Sequence, residues 1–129
     1  MLDLKALLSK ILDALKVDYI VEEGASGNSL YRKWNSGKVE LWYSESSSSG
    51  LNTSVWQSPI NYGDYARASL WSGVFNNPPK VYASSNHHWV IAVLPTYISK
   101  DGCTLRFLTC GKASNQAYGF SIYAIGTWK

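Results

Sequence analysis

The chain of 129 residues is 46% hydrophobic, 14% aromatic and only 16% charged, which fits one folded domain and excludes intrinsic disorder. Its formal net charge of +3 comes from scattered Lys and Arg side chains, so we expect no basic stripe for binding nucleic acid. No stretch approaches the roughly 18 consecutive apolar residues of a membrane helix, so we expect no insertion into a membrane.

Residues 1–17 are predicted to form a helix that ends a coiled-coil stalk. Apolar residues recur there at spacings of three and four, which is the heptad seam of a coiled coil. The residues on this seam are Met1, Leu4, Leu8, Ile11 and Leu15. Leu at the a positions and Ile at one d position favour three or four strands over two, and we expect a homotrimer. The alternative is an amphipathic helix packed on its own domain. Asp and Lys interrupt the apolar pattern, unlike in a secretory signal, so we expect the chain to fold in a cytoplasm.

Residues 18–129 show the two-residue periodicity of β-strands. Asn35, Ser36 and Gly37 separate apolar alternation at 30–34 from that at 38–43, which predicts a hairpin with a three-residue loop. Residues 46–50 are predicted to be a flexible polar turn. The other predicted strands are 18–23, 51–57, 66–75, 80–84, 89–94, 104–110 and 120–128. Short strands with no helix between them predict a mainly β fold, an antiparallel β-sandwich.

Two cysteines, Cys103 and Cys110, flank one predicted strand. An extended segment between them places their side chains too far apart, and on opposite faces, for a disulfide. We therefore expect both to be reduced and buried.

Six Trp and nine Tyr exceed what one small core can hide, so several are expected at subunit interfaces or in a binding surface. Segment 61–67 is predicted to be an exposed loop, and 86–89 is a second aromatic segment. The candidate binding residues are Asn61, Tyr62, Asp64, Tyr65, Arg67, His87, His88 and Trp89. The alternative for Trp56, Trp71 and Trp89 is a place in the core or in a subunit seam.

Neither catalysis nor a cofactor is expected. Glycan-cleaving enzymes need a pair of carboxylates at a fixed separation, and of the acidic side chains considered Asp101 belongs to a turn and Glu40 to the hairpin. A nucleophile elbow is absent. His87 and His88, if on a strand, point to opposite faces and do not easily share one metal ion within a chain, so we expect no metal site.

Four sequence runs resemble a known family. They are YIVEEGASG at 19–27, YRKWNSGKVELW at 31–42, FNNPPKV at 75–81 and GFSIYAIGTW at 119–128. These runs resemble the C-terminal head, or receptor-binding, domains of bacteriophage and prophage tail fibres. The chain departs from the family pattern at 28–30 and at Tyr43.

The resemblance implies a trimeric β-sandwich at a fibre tip, part of the virion and assembled in the host cytoplasm. Its implied partners are the rest of the tail fibre and a bacterial cell-surface receptor, a glycan or a protein. Segments 43–75 and 82–100 show no clear family pattern, so receptor specificity is expected there. The competing hypothesis is a purely structural trimerisation or capping domain without a receptor site.

Overall fold

A single helix precedes the strands in the computed structural model, which describes residues 3–129. Helix α1 spans Leu4–Ala14, and the Asp3 carboxylate caps it by accepting hydrogen bonds from the N–H groups of Lys5 and Ala6. The predicted helix is therefore confirmed, although Met1 of the predicted seam lies outside the described residues. Within 3–129, no helix has the length and apolar character needed to cross a membrane.

Nine strands follow α1 in the described part of the chain, and every strand pair is antiparallel. They are β1 Ile20–Ser26, β2 Ser29–Trp34, β3 Lys38–Leu51, β4 Ser54–Gln57, β5 Ile60–Arg67, β6 Lys80–Ser85, β7 Val90–Thr96, β8 Cys103–Thr109 and β9 Gln116–Thr127. The first sheet has the order β1-β2-β3-β9-β6 and the second the order β4-β5-β8-β7. The mainly β, antiparallel fold predicted from the sequence is confirmed.

Side chains from both sheets form one buried core. Strand β8 shows why, because Leu105 and Phe107 are buried while Arg106 between them points outward. Phe120 and Ile122 of β9 meet them from the first sheet. Each sheet therefore has an inner face in the core and an outer face, and the outer faces carry further aromatic rings, such as Trp42 and Tyr62.

The predicted hairpin around Gly37 is confirmed. Leu30 pairs with Trp42 and Lys33 with Val39, which is the register that a three-residue loop gives. Gly37 has φ of +100°, a conformation that favours glycine, and its N–H donates to the Trp34 carbonyl at 3.0 Å.

The prediction of a flexible turn at 46–50 is wrong, because this segment continues strand β3. Ser46 pairs with Gly119 and Ser47 with Tyr118 of β9. The long neighbouring strand supplies backbone partners, and this pairing outweighs the weak strand preference of serine.

The predicted loop at 61–67 and strand at 66–75 are also wrong. Residues 61–67 belong to β5, and residues 68–75 form turns. Gly63 suggested a loop, but a Cβ at this position would overlap the Asn52 carbonyl, so the glycine marks a close approach of two backbones. Trp71 and Phe75 gave the appearance of a strand because they reach from the turns into the core, where their rings meet edge to face.

The two cysteines are free, as expected, but only one is buried. Cys103 lies in the core, and burial raises the pKa of its thiol to about 11. Cys110 is exposed, because it directly follows the inward-facing Thr109 and so lies on the outward side of the alternation.

Candidate functional site

The predicted binding segment 61–67 is divided between the two faces of β5. Asn61, Tyr65 and Arg67 point inward, and Asn61 is only 6% exposed. The Tyr65 hydroxyl donates to the Gly50 carbonyl at 3.0 Å and accepts from the Asn52 N–H at 2.7 Å. These contacts hold the end of β3 and the segment after it, so the inward residues are part of the structural framework.

Arg67 forms an ion pair that joins the two sheets. Its guanidinium donates to the Glu45 carboxylate of β3 at 3.1 and 3.2 Å, and the Tyr43 hydroxyl donates to the same group at 3.0 Å. Burial acts to raise the pKa of Glu45, but the hydrogen bonds from Arg67 and Tyr43 outweigh it and leave the pKa below its ordinary value of 4.5. The Glu45 carboxylate is therefore ionised at neutral pH, and both of its oxygens accept hydrogen bonds from neighbouring side chains.

Tyr62 and Asp64 point outward from β5 and contact Trp56 of β4 and Arg106 of β8. We call these four residues the arginine–aromatic cluster. The guanidinium of Arg106 donates through Nε and Nη2 to both Asp64 oxygens, each at 2.7 Å. Its Cζ atom lies 4.6 Å from the Tyr62 ring centre and 5.7 Å from that of Trp56. The two rings meet edge to face at 6.3 Å. A charged group is thus held rigidly between two aromatic rings on the outer face of the second sheet.

The cluster presents both apolar surface and hydrogen-bonding groups to solvent. Trp56 is 50% exposed. Donation from Arg106 lowers the pKa of Asp64, so the carboxylate stays charged and keeps the guanidinium in place. Rigid aromatic side chains beside a few polar groups are typical of binding surfaces.

Sequence reasoning found Tyr62 and Asp64 but missed Trp56 as a partner and Arg106 altogether. Arg106 lies 42 residues from Asp64 in sequence and faces it only because of the β5–β8 register. A lone arginine in an alternating strand gives no signal of such a partner until the pairing of strands is known.

His87, His88 and Trp89 lie in the turn between β6 and β7. The prediction that the two imidazoles point to opposite faces of a strand is wrong, because in the turn their rings stack with centres 4.8 Å apart. The Ser85 hydroxyl fixes the turn by donating to the His87 carbonyl at 2.9 Å and accepting from the His87 N–H at 3.0 Å. Across residues 3–129, no three His, Cys, Asp or Glu side chains gather as metal ligands would.

The turn and the predicted segment lie at the same end of the second sheet. Val90, directly after the turn, pairs with Thr109 of β8, and Thr109 pairs with Asn61 of β5. The turn at 86–89 therefore lies at the same end of the sheet as Asn61 at the start of β5, with strand β8 between β7 and β5.

The predicted stalk residues are all on the surface. Leu4, Leu8, Ile11 and Leu15 are 71%, 57%, 48% and 67% exposed. The Asp13 carboxylate fixes the end of the helix by accepting from the Tyr19 hydroxyl and the Asn35 amide, each at 3.2 Å. The helix is thus attached to the first sheet. Leu8 lines a shallow cavity with Tyr19, Ile20 and Val21, but no described residue of the helix is buried.

Two solved structures are similar to this arrangement of strands. One is an N-terminally truncated R1-type pyocin tail fibre, with a TM-score of 0.51 and 13% sequence identity over 92% of this chain and 94% of that chain. The chain has a tail-fibre-like fold. A C-terminal fragment of the R1 pyocin fibre of P. aeruginosa matches with a TM-score of 0.52 and 12% identity over 92% of this chain and 31% of that chain. No family model and no curated protein matches the sequence.

Proposed function

We propose that the chain is the C-terminal head of a tail fibre, which recognises the surface of a bacterium as a homotrimer. The tail-fibre-like fold supports the fibre assignment. Two sheets around one core are consistent with a sandwich-shaped head, and α1 leads from the rest of the fibre into it. Such a head belongs to the virion and is assembled in the host cytoplasm.

The exposed seam of α1 supports the trimer. Large apolar side chains in a row are seldom left in water, and a helix of eleven residues gains little stability alone. Three copies that pack Leu4, Leu8, Ile11 and Leu15 together would cover these side chains.

Sedimentation of the intact chain tests the trimer. The double variant Leu8→Asp/Ile11→Asp places charges in the seam and should convert trimer to monomer, whereas Lys10→Asp on the polar side should not. A wild-type chain that sediments as a monomer at micromolar concentration contradicts the trimer.

The arginine–aromatic cluster carries the proposal of receptor binding. Trp56, Tyr62, Asp64 and Arg106 are held in one geometry before any ligand arrives, so binding need not order them. The turn at His87, His88 and Trp89 extends the proposed contact. A trimer repeats the site three times, so weak contacts with a surface glycan or protein gain strength through multivalency.

Adsorption to bacteria tests this role. The labelled chain is mixed with a panel of bacterial strains, and the double variant Trp56→Ala/Arg106→Ala should lose adsorption while its circular dichroism and sedimentation stay unchanged. Lys112→Ala, which removes one positive charge elsewhere on the surface, is the matched control and should adsorb like wild type.

The second candidate is a trimerisation or capping domain without a receptor site. The uncovered seam of α1 favours it, because this feature serves assembly alone. Normal adsorption by the cluster variant, or adsorption to no strain by a wild-type trimer, would support this candidate over receptor binding.

We propose binding without catalysis or a cofactor. The carboxylates of Glu40, Glu45 and Asp64 each accept hydrogen bonds from neighbouring side chains, with Tyr123, Arg67 and Arg106 among the donors. Carboxylates occupied in this way are poorly placed to act as an acid and base pair on a sugar. Shortened products after incubation with bacterial glycans would overturn this part of the proposal.

A further inference from the structure

The outer face of the first sheet carries two adjacent rows of side chains that cross strands β3, β9 and β6. Trp42 pairs with Tyr123, and Tyr123 pairs with Tyr82, which gives a row of three rings. Two residues further along each strand, Ser44 pairs with Ser121 and Ser121 with Ser84, which gives a row of three hydroxyls. We call these six residues the aromatic–serine groove.

The rings form a continuous and largely fixed platform. The centre of the Tyr123 ring lies 5.6 Å from that of Trp42 and 6.2 Å from that of Tyr82, with ring planes inclined by 47° and 29°. The Tyr123 hydroxyl donates to Glu40 at 2.6 Å, which fixes the central ring. Tyr82 is 59% exposed, so the platform is open to solvent.

The hydroxyl row lies between two cavities. One, of about 250 Å³, is lined by the rings together with Ser84 and Ser121. The other, of about 260 Å³, includes Ser44 and Asn86 in its lining. Hydrogen bonds link the two linings, because Ser44 of one cavity is bonded to Ser121 of the other at 2.9 Å, and the Asn86 amide donates to Ser121 at 3.2 Å. Donors and acceptors therefore run alongside the rings.

Two charged side chains beside the groove are already paired. Glu45 lines one cavity but accepts hydrogen bonds from Arg67. Arg32, whose Cζ lies 5.7 Å from the Trp42 ring centre, is paired with Glu23 at 2.7 Å. Lys80, two residues before Tyr82 on the same exposed face of β6, lies outside both cavity linings. A ligand in the two cavities thus meets rings and neutral hydrogen-bonding groups, and the charged residue in their linings, Glu45, is already paired with Arg67.

We propose that the aromatic–serine groove binds an uncharged oligosaccharide. The apolar faces of its sugar rings stack on Trp42, Tyr123 and Tyr82, while its hydroxyls exchange hydrogen bonds with the serine row. Serine is depleted in subunit interfaces, which disfavours a second copy of the chain as the occupant. The groove lies on the opposite sheet from the arginine–aromatic cluster and goes beyond the receptor contact proposed there.

Binding of the intact chain to an array of neutral and acidic bacterial oligosaccharides tests this proposal. The wild type should bind neutral members, and Tyr82→Ala, which removes an exposed ring from an edge strand, should weaken that binding about tenfold. Ser121→Ala should weaken it less. Tyr97→Ala is the control, because it removes a tyrosine outside the groove that is even more exposed, at 83% against 59% for Tyr82, and should bind like wild type.

Three results would overturn the proposal. They are binding to no neutral oligosaccharide, neutral binding that Tyr82→Ala leaves unchanged, and a change in sedimentation of Tyr82→Ala, which would make the groove a subunit contact. Failure here is separable from failure of the proposed receptor contact. Loss of adsorption in Trp56→Ala/Arg106→Ala with intact array binding supports two sites, whereas adsorption without any neutral ligand removes only the groove.

Discussion

Two arginine–carboxylate pairs share strand β5 but differ in what they connect. Asp64 and Arg67 are three residues apart, so strand alternation places them on opposite faces. Arg67 pairs inward with Glu45 of the other sheet, and Asp64 pairs outward with Arg106 of the neighbouring strand.

The exposed fractions of the side chains are similar in the two pairs, although desolvation influences the pKa of Glu45 more than that of Asp64. The side chains of Arg67 and Glu45 are 25% and 22% exposed, close to the 28% and 33% of Arg106 and Asp64. Asp64 and Arg106 lie directly opposite each other in strands that backbone hydrogen bonds already join. The inner pair instead links two sheets, so we expect it to contribute more to stability than the outer pair.

The largest expected effect on stability is that of Glu45→Ala. This change leaves the Arg67 guanidinium and the Tyr43 hydroxyl without their shared acceptor, and should lower the free energy of unfolding by about 2 kcal/mol. Urea denaturation measures it. The double variant Glu45→Leu/Arg67→Met, which replaces both charges with apolar groups, should recover much of the loss. A loss below about 0.5 kcal/mol in Glu45→Ala would contradict the role of this pair in holding the sheets together.

Lowering the pH should also reduce the free energy of unfolding through the Glu45–Arg67 pair, by less than Glu45→Ala does. The folded-state pKa of Glu45 lies below its ordinary value of 4.5, so on acidification the unfolded chain takes up the proton first. The contribution of this group is present above about pH 5 and is lost as the pH falls through the folded-state pKa.

Unfolding measured between pH 7 and pH 3 checks the sign. Glu45→Gln should lose less stability on acidification than wild type, because it has removed a group that titrates differently in the two states. Asp64→Asn, from the outer pair, should change the acid dependence in the same direction, because Arg106 also lowers the pKa of Asp64. An unchanged acid dependence in Glu45→Gln would show that the inner pair contributes nothing to it.

The sequence was sufficient to predict the elements that depend on local chemistry. The hairpin around Gly37 was predictable because Asn35 and Gly37 suit its turn, and the apolar alternation of β8 and β9 indicated strands. The error at 61–67 arose because Gly63 serves a tertiary contact with Asn52, which a sequence does not display. The segment around Trp71 was wrongly predicted to be a strand for a similar reason, because Trp71 lies in a turn but its ring is buried in the core.

The candidate sites were less predictable because both are made by cross-strand neighbours. The alternation of β3 places Trp42 on one face of its strand, but Tyr123 and Tyr82 join it only through the order β3-β9-β6. Arg106 likewise reaches Asp64 through the pairing of β5 with β8. A face can be assigned from periodicity within one strand, whereas a surface needs the order of strands and their register.

The smallest expected effect is on the outer pair, and it is the one that most directly separates a functional surface from a structural one. A double-mutant cycle of Asp64→Ala and Arg106→Ala should give a coupling of about 0.5 kcal/mol in urea denaturation, since a cross-strand pair in an existing ladder adds little. The same variants should weaken adsorption far more than they change stability, because Arg106 without Asp64 is no longer held between Tyr62 and Trp56. A coupling above about 2 kcal/mol would show that the outer pair stabilises the fold as much as we expect of the inner pair, and would contradict the difference proposed between them.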